Sequence, residues 1–227
     1  MILLSYDAVI FDLDDTLYEE EAYFREAFMD IAAVVSRERA ISQPKVYKRI
    51  LKEFHDKGSR FTRFFEHVAN LFELEQSYHN RFYELYLNTD ANLVLYPDAE
   101  ETLIWLQNRN YRLGLITNGS VTAQRNKIKQ LGLECRFDAI CVSRELGEKF
   151  EKPHTRPYLA ILSQLDVGAG ESIYVGDDPM TDFEGANGLG MTTVRLRRGE
   201  FEDLDTTGIQ VDPEITSHYE LKNLLDL

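Results

Sequence analysis

The sequence predicts an α/β protein: a doubly wound, mostly parallel sheet whose first strand is separated from the rest by an inserted bundle of helices. Three observations carry this. From Pro97 onward, apolar strand-like runs alternate with amphipathic helix-like segments, the pattern of a parallel sheet with helices on both faces. Residues 17–91 instead hold four amphipathic stripes with no strand between them, the pattern of a small helical bundle. Ala8–Phe11 is a short apolar run on its own near the front of the chain, and a lone strand has no sheet to join. That strand therefore belongs with the later ones. The core is residues 1–16 and 92–227, and residues 17–91 are an insertion between its first two strands. The crossings, Thr16–Glu20 and Asn92–Pro97, are candidate hinges.

The elements follow in order. Ala8–Phe11 reads as a fully buried strand. Phe24, Ala27, Phe28, Ile31, Val34 and Val35 fall at helical spacing. Ser42-Gln43-Pro44 marks a second helix start, Val46, Tyr47, Ile50, Leu51 and Phe54 form its apolar face, and Gly58 ends it. A third stripe runs through Phe61, Phe64, Phe65, Val68, Leu71 and Phe72, and a fourth through Phe82, Leu85 and Tyr86. Beyond Pro97, helices are expected over Ala99–Gln107, Val121–Leu131 and Pro157–Leu165, then between Val175 and Thr192, and finally over Tyr219–Leu225. Strands are expected over Leu113–Ile116, Phe137–Val142, Ile173–Val175, Thr192–Leu196 and Val211–Ile215.

Composition narrows the partners. The 227 residues include 39 acids and 25 bases, a net charge of −14. That balance argues against nucleic acid, whose phosphates need basic stripes, and against anionic membrane surfaces. It leaves room for a small phosphorylated ligand, because a local cation overrides a global field. Cys135 and Cys141 match no zinc spacing and form no disulfide framework, which fits a reducing cytoplasm. Met1–Tyr6 carries no basic leader, and no apolar window approaches the roughly 20 residues of a spanning helix.

Ligands of open parallel sheets bind beyond the carboxyl ends of the strands. The first strand runs into Asp12-Leu13-Asp14-Asp15-Thr16. Residues i and i+2 of an extended strand end point the same way, so Asp12 and Asp14 share a face and Asp15 does not. Paired carboxylates invite a divalent cation, acid/base chemistry, or both. The second strand is followed by Thr117-Asn118-Gly119-Ser120, the third by a loop with Lys149 and Lys152-Pro153, and the fourth by Gly176-Asp177-Asp178-Pro179-Met180-Thr181-Asp182. Acids, a hydroxyl and a lysine thus converge on one crevice.

In this order and at these positions, D-x-D-x-T, the strand-terminal Thr, Lys-Pro and G-D-D-x-x-x-D resemble the four motifs of the haloacid dehalogenase (HAD) superfamily. The helical insertion after the first motif is similar to its subfamily I, with a four-helix cap. The resemblance spans nearly the whole chain. It implies a Rossmann-like core and Mg²⁺-dependent hydrolysis of a phosphomonoester. In that reading Asp12 is the nucleophile that becomes an aspartyl-phosphate. Asp14 protonates the leaving oxygen and then activates water. Thr117 and the amides of Asn118 and Gly119 hold phosphate oxygens, and Lys152 neutralises charge. Asp12 and Asp177 ligate Mg²⁺ by side chain and Asp14 by its carbonyl. Asp182 holds metal-bound water or the lysine. Asp178 is either an N-cap before Pro179 or a residue behind the metal ligands. Asp15 reads as a turn residue, and Ser120 and Asn118 as a turn with a helix cap. The loop before the lysine is longer than the family's usual stretch, so Lys149 competes with Lys152. Lys152 is preferred for its following proline, which leaves Lys149 as a solvated lysine.

Within the family, Asp14 separates phosphate transfer from 2-haloacid dehalogenation, which needs no proton donor. A phosphomutase or other phosphoryl transferase is the alternative enzyme, and a non-catalytic binding protein the alternative outside enzymes. The expected substrate is a small cytosolic phosphomonoester such as a nucleotide, sugar or triose phosphate. Arg25, Arg60, Arg63 and His67 of the insertion read mainly as a solvated flank, Phe61, Phe64 and Phe65 as bundle core, and Lys45, Lys48, Lys52 and Lys57 as a polar helix face. A monomer or homodimer is expected.

Overall fold

The computed structural model describes residues 6–205, 208, 211 and 213–225. Residues 1–5, within the stretch read for a leader, and residue 212, within the predicted strand Val211–Ile215, lie outside them. The chain divides into two compact units, Met1–Glu20 with Leu93–Leu227, and Glu21–Asn92.

The first unit is built on a parallel sheet. Its strands are β1 (Ala8–Phe11), β2 (Arg112–Thr117), β3 (Ala139–Val142), β4 (Ser172–Gly176), β5 (Thr192–Leu196) and β6 (Glu214–Ile215), in the order β3-β2-β1-β4-β5-β6. Strand β1 is central: Val9 pairs with Leu113 on one side and Ile173 on the other. Every residue of β1 is buried, as a strand covered on both faces must be. Ile10, Ile116, Ile161, Tyr158, Tyr174 and Phe183 share one apolar cluster, each such side chain worth ~1.5–3 kcal/mol of burial.

The helices of the chain are α1 (Glu20–Arg39), α2 (Gln43–Lys57), α3 (Phe64–Leu71), α4 (Ser77–Leu87), α5 (Pro97–Asn108), α6 (Val121–Gln130), α7 (Arg156–Leu165), α8 (Glu184–Gly188) and α9 (Tyr219–Leu225). Proline within the first two positions starts α2, α5 and α7, where its missing N–H costs nothing. Ser42 and Ser120 occupy N-cap positions, but neither side chain makes a capping bond. The two crossings run side by side: Tyr96 N–H donates to Leu17 O at 2.9 Å, and Tyr18 bridges Leu95. Asp98 of α5 ties distant segments together. It accepts from both Arg198 terminal nitrogens (3.1 and 2.8 Å), the Ser217 hydroxyl (2.8 Å) and the His218 N–H (2.9 Å). The buried His218 ring lies against Phe11, 6.0 Å between centroids.

The second unit packs on aromatic rings. Phe24–Phe54, Phe28–Phe64 and Phe54–Phe64 have centroids 4.7, 5.3 and 5.7 Å apart, and such pairs add ~0.5–1.5 kcal/mol beyond area burial. Phe61 and Phe65 pack against the same cluster. Lys45, Lys48, Lys52 and Lys57 are exposed. Arg25 pairs with Glu21, Arg63 with Glu66 and His67 with Glu53 at 2.7–2.8 Å. Arg60 is exposed. Among the described residues no helix is long and apolar enough to cross a membrane. Cys135 is exposed and Cys141 buried, both as free thiols; burial pushes the Cys141 thiol up to about 11.

Candidate active site

The strand order reverses at β1, with β2 on one side and β4 on the other. The crevice beyond the carboxyl ends of these strands is where an open sheet holds ligands. Asp12 follows β1, Thr117 ends β2, and Asp177 follows β4. Asp12 N–H extends the sheet by donating to Val175 O at 2.8 Å, which fixes its backbone.

Asp12, Asp177 and Asp182 bring carboxylate oxygens within 4.8 Å of one another, all buried. Lys152 meets this group. Its Nζ donates to Asp12 Oδ1, to Asp182 Oδ1 at 2.6 Å and to the Tyr174 hydroxyl at 3.0 Å. The Tyr174 hydroxyl also donates to Asp182 Oδ1 at 3.0 Å, and Thr16 Oγ1 donates to Asp177 Oδ1 at 3.0 Å. Burial, and then the neighbouring carboxylates, push Asp12 up to about 8 and Asp177 well above the usual carboxylate range. Burial alone would lower Lys152, but the charges of Asp12 and Asp182 outweigh it and hold the lysine well above its ordinary value. Three crowded carboxylates and one ammonium leave a formal excess of two negative charges. An all-oxygen set with that charge suits a hard divalent cation such as Mg²⁺.

The strand stops at Phe11, and Asp14 lies beyond it. Its carboxylate lies outside the three-acid cluster and is met instead by Tyr18 OH (2.6 Å) and Lys127 Nζ (2.8 Å) on Oδ1, and by Gln124 Nε2 (2.7 Å) on Oδ2. Lys127 also reaches Glu20 Oε1 at 3.1 Å. Burial, followed by repulsion from Asp14, pushes Glu20 up to about 8. Sequence reasoning missed Gln124 and Lys127. The structure buries them in one stripe of α6 with Ala123 and Ile128; the sequence carries no local signal for it, since polar residues on a helix read as a solvated face.

Asp15 is a turn residue with φ of +52°. Its carboxylate accepts from the Glu20 N–H at 2.9 Å and the Glu200 N–H at 3.2 Å. The expected helix-capping pair Asp178-Pro179 is corrected by the structure. The helix starts only at Glu184, and Asp178 closes a turn, accepting from Met180 N–H and Thr181 Oγ1, each at 2.9 Å. Its own N–H donates to Asp182 Oδ2 at 3.0 Å, so Asp178 meets the acid cluster through its backbone.

Buried Thr117 accepts from Gln124 Nε2. The Asn118 side chain grips the lysine's backbone, with Lys152 N–H donating to Oδ1 (2.9 Å) and Nδ2 donating to Lys152 O (3.0 Å). Asn118 is therefore a clamp on Lys152, where a turn or cap residue was expected. Gly119, at φ +115°, donates its N–H to Glu151 Oε1 at 2.7 Å. Glu151 Oε2 accepts from Arg144 at 2.9 Å. The Gly119 amide expected to face a phosphate is thus engaged by a carboxylate of the chain itself. Two 3₁₀ turns, Ser143–Leu146 and Glu148–Phe150, take up the long loop before the lysine. Lys149 is exposed above the Phe150 ring, while Lys152, joined to Pro153 by a cis peptide bond, is the buried one.

The chain is similar to known proteins. The family model described as haloacid dehalogenase-like hydrolase covers residues 9–196. A glyceraldehyde 3-phosphate phosphatase of Methanopyrus kandleri is 31% identical over 211 residues, 87% of either chain. The crystal structure of a HAD phosphatase from Thermococcus onnurineus superimposes with a TM-score of 0.67 at 31% identity, covering 96% of this chain and 97% of that one. A putative HAD-hydrolase from Bacillus subtilis bound to magnesium gives a TM-score of 0.72 at 20% identity, covering 98% and 100%.

Proposed function

Since the chain belongs to the haloacid dehalogenase-like hydrolases, we propose that it is a Mg²⁺-dependent phosphatase of small phosphomonoesters, a triose phosphate foremost, acting through an aspartyl-phosphate on Asp12. The observation that carries the reading is the meeting of Asp12, Asp177, Asp182 and Lys152 at the carboxyl ends of the central strands. The name of the Methanopyrus relative supports the substrate class.

Asp12 would attack phosphorus while Asp14 passes a proton to the departing oxygen, general acid catalysis worth ~10²–10⁴ in rate. Asp14 would then take a proton from the water that hydrolyses the acyl phosphate. Lys152 would offset charge on the phosphoryl oxygens, and the buried Thr117 hydroxyl would receive one of them. Asp12 and Asp177, with the Asp14 carbonyl, would hold Mg²⁺, which would lower the Asp12 pKa and offset the repulsion between carboxylate and phosphate. Asp178 and Asp182 would support that set, Asp182 by orienting Lys152. The helical unit Glu21–Asn92 would act as the cap. The protein would work in the cytoplasm.

Phosphate release from glyceraldehyde 3-phosphate and a panel of sugar phosphates and nucleotides, with and without Mg²⁺, tests this. Wild type should turn over at least one ester only with Mg²⁺, and Asp12→Asn should lose about 10³-fold or more. No release from any ester, or undiminished release by Asp12→Asn, overturns the reading.

A further inference from the structure

We propose that Lys127 and Gln124 of α6 are positioning residues that set the proton-transfer geometry of Asp14; the inference rests on the phosphatase reading above. Lys127 is fully buried, its side chain 1% exposed, with Nζ 2.8 Å from Asp14 Oδ1 and 3.1 Å from Glu20 Oε1. A buried lysine held between two acids contributes little net stability, because desolvation offsets the Coulomb gain. What the arrangement does supply is direction. Gln124, one turn before Lys127 on the same helix face, presents its amide nitrogen to both Asp14 Oδ2 and Thr117 Oγ1. The ionised carboxylate only accepts, so in that form the nitrogen is the atom that faces it. One side chain thereby fixes the spacing between the proton-carrying carboxylate and the hydroxyl that would receive a phosphoryl oxygen. Tyr18 OH, at 2.6 Å, holds Asp14 Oδ1 from the chain's own next turn. With Oδ1 and Oδ2 both gripped, the Asp14 carboxylate has one orientation, set by α6. Each α6 residue acts through Asp14 or Thr117.

The readout is leaving-group dependence. Nitrophenolate departs with little protonation, whereas an alkoxide needs the proton that Asp14 supplies. The ratio of kcat/KM for p-nitrophenyl phosphate to that for glycerol 3-phosphate is measured for the full chain with Mg²⁺. The variants are Asp14→Asn, Lys127→Met, Gln124→Met and the double variant Lys127→Met/Glu20→Gln, which removes the buried partner charge as well. Both esters should slow in each variant, but the aryl-to-alkyl ratio should rise by at least about tenfold in Lys127→Met and Gln124→Met, in the direction set by Asp14→Asn. The double variant, followed by thermal unfolding, should show the same rise with a midpoint near that of wild type. An unchanged ratio in the folded variants, whether both esters fall equally or neither falls, overturns the inference and leaves the phosphatase reading intact. Where wild type does not turn over glycerol 3-phosphate, the alkyl ester is one from the panel above that it does, and failure of wild type on every ester overturns both.

Discussion

Gly176→Ala is a small substitution with a sharp expected effect. Gly176 ends β4 and has no left-handed φ, so alanine is allowed there by its backbone. The obstacle is Asp182: a Cβ at residue 176 would stand nearest its Oδ2, 2.6 Å from its Cγ and 3.0 Å from its Cβ. Ordinary contact requires the carboxylate to retreat by about 1 Å. Asp182 is held by Lys152 Nζ at 2.6 Å, Tyr174 OH at 3.0 Å and Asp178 N–H at 3.0 Å. The Asp178 bond, on the crowded oxygen, breaks first. Hydrogen bonds to charged groups contribute ~1.5–3 kcal/mol each, so losing one and stretching another costs about 2–4 kcal/mol. A displacement of that size at the lysine's anchor should also reduce turnover by about 10². Urea unfolding gives the first quantity, and phosphate release against Mg²⁺ concentration gives the second. Gly188→Ala is the control: its Cβ meets nothing within 4 Å, and the change should move stability by less than about 1 kcal/mol. A Gly176→Ala protein within about 0.5 kcal/mol of wild type, with the same Mg²⁺ requirement, refutes the argument.

Asp98→Asn should cost about 2–4 kcal/mol at pH 7, since it strips the charge from a buried network that includes Arg198. Burial raises the Asp98 carboxyl, but bonds from His218, Arg198 and Ser217 outweigh it and hold it well below the usual range. A depressed acid stabilises above its unfolded pKa and loses that contribution as pH falls toward its folded one, so the gap between variant and wild type should close below about pH 4. Burial also lowers His218, outweighing Asp98; the unfolded chain then binds a proton that the native one refuses, and stability should begin to fall below about pH 6.5. A gap that stays constant across a pH series of thermal midpoints rules out the Asp98 account. Asn118→Ala should reduce kcat by about tenfold or more, because it frees the backbone that aims Lys152. In a double-mutant cycle with Lys152→Met its effect should vanish, and full additivity would contradict the clamp.

The sequence made the strands and most helices legible because each carries a pattern of its own. Ala8–Phe11 is apolar throughout, and α2 opens at a proline and closes at Gly58. It also made the strand ends legible, since acids, a hydroxyl and a lysine follow apolar runs where such groups must find partners. Other features stayed hidden for physical reasons. Lys127 and Gln124 look like a solvated helix face, and their burial depends on Asp14 and Glu20, far away in the chain. The bond between Asp98 and His218 joins segments that share no local pattern. The loop that turns Gly119 toward Glu151 has no periodicity to read. The strand stops at Phe11, so alternation gave no guide to the partners of the Asp14 carboxylate.

The central place of β1 sets an order of events during synthesis. Glu21–Asn92 is one continuous stretch, and contacts local in sequence form early. Strand β1 must wait for Leu113 and then Ile173 before both its edges are paired. In the interval Ala8–Phe11 is an unpaired apolar strand, the kind of segment that recruits other chains. Asp7 precedes it, and Asp12, Asp14 and Asp15 follow. Charges flanking an exposed strand oppose such association. Asp12 and Asp14, proposed for chemistry in the finished protein, are two of those flanking charges.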